Sequence, residues 1–230
     1  MNKTITILMA FAFFTVNALA QDNKIYLKAG LNLANVSTSD DGSYDNANGL
    51  ASFHAGFMAD LPLGKVLSVQ PGLLFTGKGS KLETGSSTDA IYYKNSVNPY
   101  YIELPVNLIA NIPLVDGESK FFIGAGAYAA AGIAGKYKST FKTPAGTIES
   151  DGKIEFTNDD PTTSEEEGAG LGLMKRFDYG INGTAGFAFK NMLVSVNYGH
   201  GLAKLNSGTS NTSNDNNKNR VWSISFGVSL

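Results

Sequence analysis

Residues 222–230 alternate strictly between large apolar side chains and small ones that are mostly polar. One file is Trp222, Ile224, Phe226, Val228 and Leu230, and the other is Ser223, Ser225, Gly227 and Ser229. A period of two belongs to a β-strand whose two faces meet different surroundings. The feature restricts the chain to folds whose strands have one apolar and one polar face, and a transmembrane β-barrel is such a fold.

The same alternation recurs in seven further segments, at 24–36, 51–61, 66–78, 98–111, 120–135, 176–189 and 193–202. Their lengths reach the roughly nine to eleven residues that a tilted membrane strand needs. The connections alternate between short ones (62–65, 112–119, 190–192) and long polar ones (37–50, 79–97, 136–175, 203–218). Short turns at one side and long loops at the other are typical of outer-membrane barrels. We therefore predict an all-β fold, an eight-stranded antiparallel up-and-down transmembrane β-barrel with periplasmic termini.

Residues 1–20 have the pattern of a secretory signal peptide. Lys3 supplies the positive start, residues 5–16 form the apolar run, and Ala18 and Ala20 flank Leu19 in a small-x-small cleavage motif. The run is too short to cross a bilayer comfortably. We expect cleavage before Gln21, which leaves residues 21–230 as a single barrel domain in the outer membrane of a Gram-negative envelope.

Composition excludes several classes of protein and site. The chain has 18 Lys+Arg against 20 Asp+Glu, so it lacks the basic excess of a nucleic-acid-binding protein. The absence of cysteine excludes disulfides, thiolate metal sites and a lipoprotein anchor. The long loop at 136–175 carries acidic residues without the spacing of a calcium-binding loop, namely Asp159, Asp160, Glu165, Glu166 and Glu167. We expect these to be solvated, and we expect no metal and no cofactor.

The polar files of a membrane barrel face its interior, and here they contain Lys28, His54, Asp60, Gln70, Glu103, Arg176 and Asp178. A barrel of eight strands is just wide enough for side chains to fill it. Charges in that interior must be paired, because an unpaired buried charge is strongly destabilising. We expect a structural network in which Glu103 pairs with Arg176 or Lys28, and Asp178 with Arg176. The alternative is a functional role, in which the same residues form a path for protons or small ions.

Aromatic side chains cluster near the strand ends, as they do in the girdles of membrane barrels. The predicted girdle residues are Phe57, Tyr100, Phe121, Phe177, Tyr179, Tyr198 and Trp222. Pro71 and Pro105 fall in the middle of neighbouring strands, where each removes a hydrogen-bond donor from the sheet. We expect a β-bulge at these prolines, with a possible reversal of faces beyond them.

Two other classes of protein remain open at this point. A secreted soluble barrel of the lipocalin type, binding a small apolar ligand, would bury the apolar file and expose the polar one. A lipase-like enzyme would need a nucleophile, a base and an orienting group near the outer rim. His54 and His200 are the two histidines, with Ser52, Ser195 and Glu103 as nearby candidates, but no spacing among them indicates a triad. The sequence therefore favours a protein that is not an enzyme.

Several segments resemble the PorT family of outer-membrane β-barrels. Residues 101–106 (YIELPV) resemble its Y-x-E-x-P segment, and 124–128 (GAGAY) its glycine-aromatic fifth strand. Residues 177–180 (FDYG) resemble its D-x-G sixth strand, 198–202 (YGHGL) its Y-x-x-G-L seventh, and 28–32 (KAGLN) its opening. The resemblance implies an eight-stranded barrel related to OmpX-type proteins. It also implies a link to a branch of the family that serves a protein-secretion and gliding apparatus.

Together these observations predict a non-enzymatic outer-membrane barrel that presents four long extracellular loops. Its expected surroundings are outer-membrane lipid and lipopolysaccharide, with no nucleic acid. Its mechanism would be recognition by the loops, or docking of the barrel wall into an envelope or secretion assembly. An open pore is not expected, because the lumen is narrow and filled with polar side chains.

Overall fold

The computed structural model describes residues 23–37, 47–115, 118–157, 172–205 and 218–230. The predicted signal peptide, the acidic residues between 159 and 167, and residues 38–46 and 206–217 of the long polar connections lie outside these residues. None of the helices in the described part of the chain is long and apolar enough to cross a membrane.

The described residues form thirteen β-strands. In chain order they are β1 (Lys24–Ser37), β2 (Ala47–Asn48), β3 (Leu50–Pro62), β4 (Leu67–Gly77), β5 (Ser80–Thr84), β6 (Tyr92–Pro113), β7 (Ser119–Thr143), β8 (Gly146–Lys153), β9 (Glu155–Thr157), β10 (Leu173–Lys175), β11 (Phe177–Phe189), β12 (Met192–Gly201) and β13 (Lys218–Ser229).

Eight of these strands close into a ring in the order β1, β3, β4, β6, β7, β11, β12 and β13. Each strand is antiparallel to its neighbours; β13 returns to β1, and β6 pairs with β7 along nearly its whole length. The predicted eight-stranded up-and-down barrel is therefore confirmed. One end of the barrel carries the short turns, the start of β1 and the end of β13, and we call it the short-turn end; the other is the long-loop end.

The apolar files face outward and the polar files face inward. Leu31 is 74% exposed and Ile224 is 63% exposed, whereas Tyr26 and Ser225 on the inner faces of the same strands are 2% and 1% exposed. A soluble barrel needs the opposite arrangement, with the apolar file inside. The lipocalin-type alternative is therefore wrong.

The predicted bulge at the two prolines is absent. Pro71 pairs with Val106, and Leu74 pairs with Glu103 in the same register, so the faces of β4 and β6 do not reverse across the prolines. The register shift lies elsewhere: Tyr101 pairs with Gly132 but Tyr100 pairs with Ala134, which leaves Ile133 as the extra residue of a bulge in β7.

A sheet extends beyond the barrel at the long-loop end. Its strands are β2, β5, residues 92–98 of β6, residues 136–143 of β7, and β8, paired in that order. We call these residues the protruding sheet. The polar connections at 79–97 and 136–175 were expected to be loops, and this expectation is wrong where β5, β8 and the extensions of β6 and β7 replace them.

Side chains fill the interior of the barrel in layers. Near the short-turn end lies an apolar cluster of Tyr26, Ile109, Phe122, Ala188 and Leu193. The middle layers are polar. At the long-loop end, Ile154, Met174 and Leu205 pack with Val36, Val97 and Phe156 across the mouth of the barrel. The fold therefore has an apolar layer at each end of a polar lumen.

Candidate functional sites in the lumen and on the protruding sheet

Lys78 occupies the centre of the charged cluster in the lumen. Its side chain is 3% exposed, and its Nζ lies 2.7 Å from Glu103 Oε2 and 2.9 Å from Asp178 Oδ2. The same Asp178 oxygen accepts hydrogen bonds from Tyr128 Oη and Asn219 Nδ2, at 3.2 and 3.0 Å. The ammonium also lies 3.9 Å from the centre of the Tyr128 ring, within cation–π range. One lysine thus contacts two carboxylates from different strands, and the three side chains together carry one excess negative charge.

The predicted pairing of Glu103 and Asp178 with Arg176 is wrong. Arg176 lies in a bend between β10 and β11 rather than on β11, and its guanidinium donates to the carbonyl of Phe156 at 3.2 Å. The alternative cation, Lys28, donates to Asn197 Oδ1 at 3.2 Å and has no carboxylate within 4.0 Å in the described part of the chain. The period-two pattern could have identified Lys78, since it stands two residues after the inward Thr76.

A second charged cluster lies near the short-turn end. Asp60 Oδ2 is 2.8 Å from the ammonium of Lys120, and Asp60 Oδ1 accepts a longer hydrogen bond from Gln70 at 3.3 Å. Asp60 is 3% exposed, so Lys120 provides the cation that this buried carboxylate requires. The sequence indicated Asp60 and Gln70 but not Lys120.

His54 connects Asn32 of β1 and Ser225 of β13 along the inner wall of the barrel. Its Nδ1 lies 2.7 Å from Asn32 Oδ1, and its Nε2 lies 2.9 Å from Ser225 Oγ. The ring packs over Gly30, where an added Cβ would meet His54 Cε1 at 2.6 Å. Neither Ser52 nor Ser195 is the partner of this histidine. The order Ser–His–Asn has the connectivity of a nucleophile, a base and an orienting group.

A cavity of about 70 Å³ lies beside this chain of hydrogen bonds. Its polar lining includes Lys28, Asn107, Asn182, Asn197 and Ser223. A polar space of this size has room for a few water molecules. The predicted interior residues thus fall into separate groups: Glu103 with Asp178, Asp60 with Gln70, and Lys28 with His54 around the cavity, while Arg176 stands apart at the mouth.

The predicted girdle aromatics all lie on the outer wall or at its ends. Tyr198 packs against Trp222 at 4.7 Å between ring centres, and Tyr100 stacks on Phe75 at 5.3 Å, both towards the long-loop end. Phe121 meets Phe187 at 5.2 Å towards the short-turn end. The remaining members are Phe57 and Phe177, which are 50% and 46% exposed, and Tyr179, which is half-buried. Their role as a membrane girdle stays a prediction.

The protruding sheet ends in an unpaired edge. Strand β8 pairs with β7 on one side, and no strand in the described residues pairs with its other side. Almost every residue of β8 is exposed, including Ile148. At the opposite side of the sheet, hydrogen bonds from Lys81 and Tyr92 hold the pKa of Glu83 below its usual value.

Within the described ranges, no group of three or more His, Asp or Glu side chains is arranged to hold a metal ion. The predicted rim site for an enzyme is likewise not assembled there: His200 packs against Tyr198 on the outer wall, at 6.2 Å between ring centres.

Comparison with known proteins gives one family and several structural likenesses. The model of the family described as outer membrane protein beta-barrel domain matches residues 19–207. No curated protein matches the chain. The fold is similar to that of Ail, the attachment invasion locus protein of Yersinia pestis, at 12% identity over 91% of this chain and 100% of that chain, with a TM-score of 0.40. Neisserial surface protein A is also 12% identical over 91% of this chain and 100% of that chain, with a TM-score of 0.40. OprG from Pseudomonas aeruginosa is 15% identical over 90% of this chain and 96% of that chain, with a TM-score of 0.41.

Proposed function

This chain belongs to the family of outer membrane proteins with a β-barrel domain, and we propose that it is a non-enzymatic surface protein whose barrel anchors a recognition sheet. The barrel would sit in the outer membrane, and the protruding sheet with the long loops would face the exterior. The partner would bind to the protruding sheet, with no chemistry on the substrate.

The proposal includes the orientation of the chain. Leu230 N donates to Ile25 O at 2.8 Å, so the start of β1 and the end of β13 lie together at the short-turn end. Short periplasmic turns and long extracellular loops are the usual arrangement in this class of barrel. We therefore orient the short-turn end towards the periplasm. Export would remove residues 1–20 and leave a single domain.

The observation that carries the proposal is the free edge of β8. Strands β6 and β7 have 22 and 25 residues, whereas β3 and β11 have 13 each, so two strands extend well beyond the ring. The extension ends in β8, whose outer edge presents backbone donors and acceptors that no strand in the described part of the chain pairs with. Such an edge is a template for an added strand from another chain. A partner segment in extended conformation would be held there by backbone hydrogen bonds.

The test removes the edge and leaves the barrel unchanged. In the variant, residues 139–150 are replaced by Asn-Gly, a two-residue sequence that favours a tight hairpin turn. Both forms carry an affinity tag within 206–217, are extracted from the outer membrane in mild detergent, and are compared by quantitative mass spectrometry. We expect a stoichiometric partner with the full chain and its loss from the shortened variant. Recovery of both forms without a partner would contradict the proposal.

A second candidate is an accessory subunit of an envelope assembly, docked through the barrel wall. The resemblance to the PorT family supports it, and so does a smooth stretch of outer wall. Ala125, Ala127 and Ala129 face outward on β7 beside Gly183 of β11, around which a Cβ would meet no atom. Small residues let another transmembrane element approach closely. A partner that binds the full and the shortened chain equally would favour this candidate.

The enzyme alternative has one supporting observation, the Ser225–His54–Asn32 chain of hydrogen bonds. Against it, Ser225 is 1% exposed and opens only to a small cavity. A fluorophosphonate probe, which labels activated serines, discriminates the two cases. We expect no labelling of the folded protein, and labelling that disappears in Ser225→Ala would establish the enzyme instead.

A further inference from the structure

The charges of the protruding sheet lie on one face only. The face that continues the outer wall of the barrel carries Lys81, Lys94, Lys136, Lys138, Lys142 and Lys153, against the carboxylates Glu83, Glu149 and Asp151. The opposite face carries no charged side chain in the described strands β5 to β8; its large residues are Leu82, Tyr93, Val97, Tyr137, Phe141 and Ile148. The outer face therefore has an excess of positive charge, although the whole chain has a net charge of −2.

The lysines begin where the apolar wall ends. On β7 the outward file runs through Ala129 and Ala131 to Ala134 and then reaches Lys136. On β6, the neighbouring outward file passes from Tyr100 to Asn98, which pairs with Lys136. Lys136 is thus the first outward side chain of β7 beyond the apolar belt. In a membrane this level is that of the lipid headgroups.

Two of these lysines oppose each other without a counter-charge. Lys136 and Lys153 are directly paired across β7 and β8, and like charges in that position are destabilising. Lys138 pairs with Glu149 at 3.7 Å, and Lys142 Nζ donates to the carbonyl of Ser87 at 2.9 Å. No carboxylate lies within 4.0 Å of the ammonium of Lys136 or Lys153 in the described residues. Both side chains are exposed, so an anion can lie between them.

We propose that Lys136 and Lys153 form a binding site for the phosphate groups of lipopolysaccharide in the outer leaflet. A phosphate oxygen between the two ammonium groups would form charge-assisted hydrogen bonds with both and convert their repulsion into attraction. Lys94 and Lys138 lie farther along the same face, where Glu83, Asp151 and Glu149 offset their charges. The contact would hold the protruding sheet upright at the membrane surface.

This inference rests on the proposed orientation of the barrel and not on the partner of β8. The proposed ligand is a phosphorylated glycolipid, and free inorganic phosphate serves as a control ligand. Each basic residue near an anionic membrane surface strengthens binding about fivefold, an effect that falls with ionic strength. Loss of both lysines should therefore weaken binding by an order of magnitude or more at low salt.

The experiment uses the full chain in detergent, titrated with fluorescent lipopolysaccharide and with the same material after dephosphorylation. Four forms are compared: wild type, Lys136→Gln with Lys153→Gln, Lys136→Arg with Lys153→Arg, and a control with Lys65→Gln and Lys190→Gln. The control removes the same charge from exposed turns at the short-turn end. All forms are first shown to resist unfolding to the same urea concentration.

We expect the Gln pair to bind phosphorylated lipopolysaccharide about tenfold or more weakly than wild type. The Arg pair and the control should keep wild-type affinity, and free phosphate should compete only weakly. Equal affinity of the Gln pair and the wild type would overturn the site, as would equal binding of the dephosphorylated glycolipid. Capture of a partner by β8 should be the same in all four forms, so failure here is distinct from failure of the proposed function.

Discussion

At the scale of single residues, Lys78 determines whether the lumen carries a net charge. Its ammonium is the one cation within 4.0 Å of Glu103 and Asp178 among the described residues. Both carboxylates lie in a space without bulk water, where an unpaired charge is far less stable than in solution. The loss of stability on removal of Lys78 therefore comes from the two carboxylates that would then lack a cation.

Lys78→Met keeps most of the side-chain volume and removes the charge. We expect the free energy of unfolding to fall by about 3–5 kcal/mol, the usual effect of breaking a buried ion pair. The measurement is urea unfolding of the refolded barrel in detergent. Arg176→Met is the matched control, because among the described residues the Arg176 side chain bonds only to a backbone carbonyl, and its loss should have a small effect. Equal stability of Lys78→Met and wild type would contradict the charge balance described above.

The sequence predicted the carboxylates of this cluster but not their cation. Inward positions follow from the period of two, so Glu103 and Asp178 were placed correctly on their faces. Pairing depends on which strands face each other across the lumen and at what height, and local alternation contains neither quantity. Arg176 was misplaced for a different reason: the bend before β11 takes it out of the alternating pattern.

At the scale of elements, the bulge at Ile133 reverses the faces of β7. Before it, even-numbered residues such as Tyr128 and Ala130 point inward; after it, Tyr137 and Phe141 lie on the continuation of the inner face. A single extra residue in a strand makes every later side chain point to the opposite face of the sheet. The bulge therefore places the lysines outside and the aromatic residues inside at the point where the strand leaves the apolar belt.

Deletion of Ile133 should exchange these faces and disrupt the protruding sheet. The lysines at 136 and 138 would then point inward above the apolar mouth cluster, and Phe141 would point outward. We expect trypsin to cleave between 136 and 153 much faster than in the wild type, while the ring of eight strands stays resistant. Ile133→Ala keeps the extra residue and should behave as the wild type. If the deletion variant resists trypsin equally, the bulge has no such role.

Tyr92 and Glu83 connect β6 to β5 in the protruding sheet. Because Lys81 and Tyr92 bond to the ionised carboxylate, the folded-state pKa of Glu83 is lower than the unfolded one. The contribution to stability is therefore complete above the unfolded pKa and is lost as the pH falls through the folded pKa. In Tyr92→Phe, we expect the pKa of Glu83 to rise, as measured by NMR titration of its side-chain carboxyl carbon. An unchanged pKa would show that Lys81 alone sets it.

The ring was predictable element by element, whereas the protruding sheet was not. Eight membrane strands show a strong contrast between apolar and polar files, because one face meets lipid. Beyond the belt both faces of a strand can meet water, and residues 92–98 and 136–143 therefore read as polar loop. The sequence contained one weak clue. Tyr93 and Val97, and likewise Tyr137 and Phe141, are four residues apart, so a period of two places each pair on one face of its strand.

At the scale of the whole molecule, the filled lumen determines whether ions can pass through the barrel. An apolar layer with Tyr26 and Phe122 lies near the short-turn end, and the cluster of Ile154, Met174 and Leu205 lies at the mouth. Between them the formal charges of Lys28, Lys78, Glu103 and Asp178 sum to zero. An ion entering this lumen would lose its water and gain no net counter-charge, which supports the proposed role of the barrel as an anchor.

The same reasoning predicts an electrically silent protein. Purified full-length chain, inserted into a planar lipid bilayer, should show no steady conductance, because two apolar layers and one neutral polar layer each block the path. Removing the mouth layer alone, by changing Ile154, Met174 and Leu205 to Ala, should leave the bilayer silent, since the layer around Tyr26 and Phe122 is intact. Large and steady openings of the wild type would refute the filled barrel, and with it the assignment of function to the surface. Openings only in the triple variant would show instead that the mouth cluster is the one effective barrier, and that the lumen below it is wet enough to conduct.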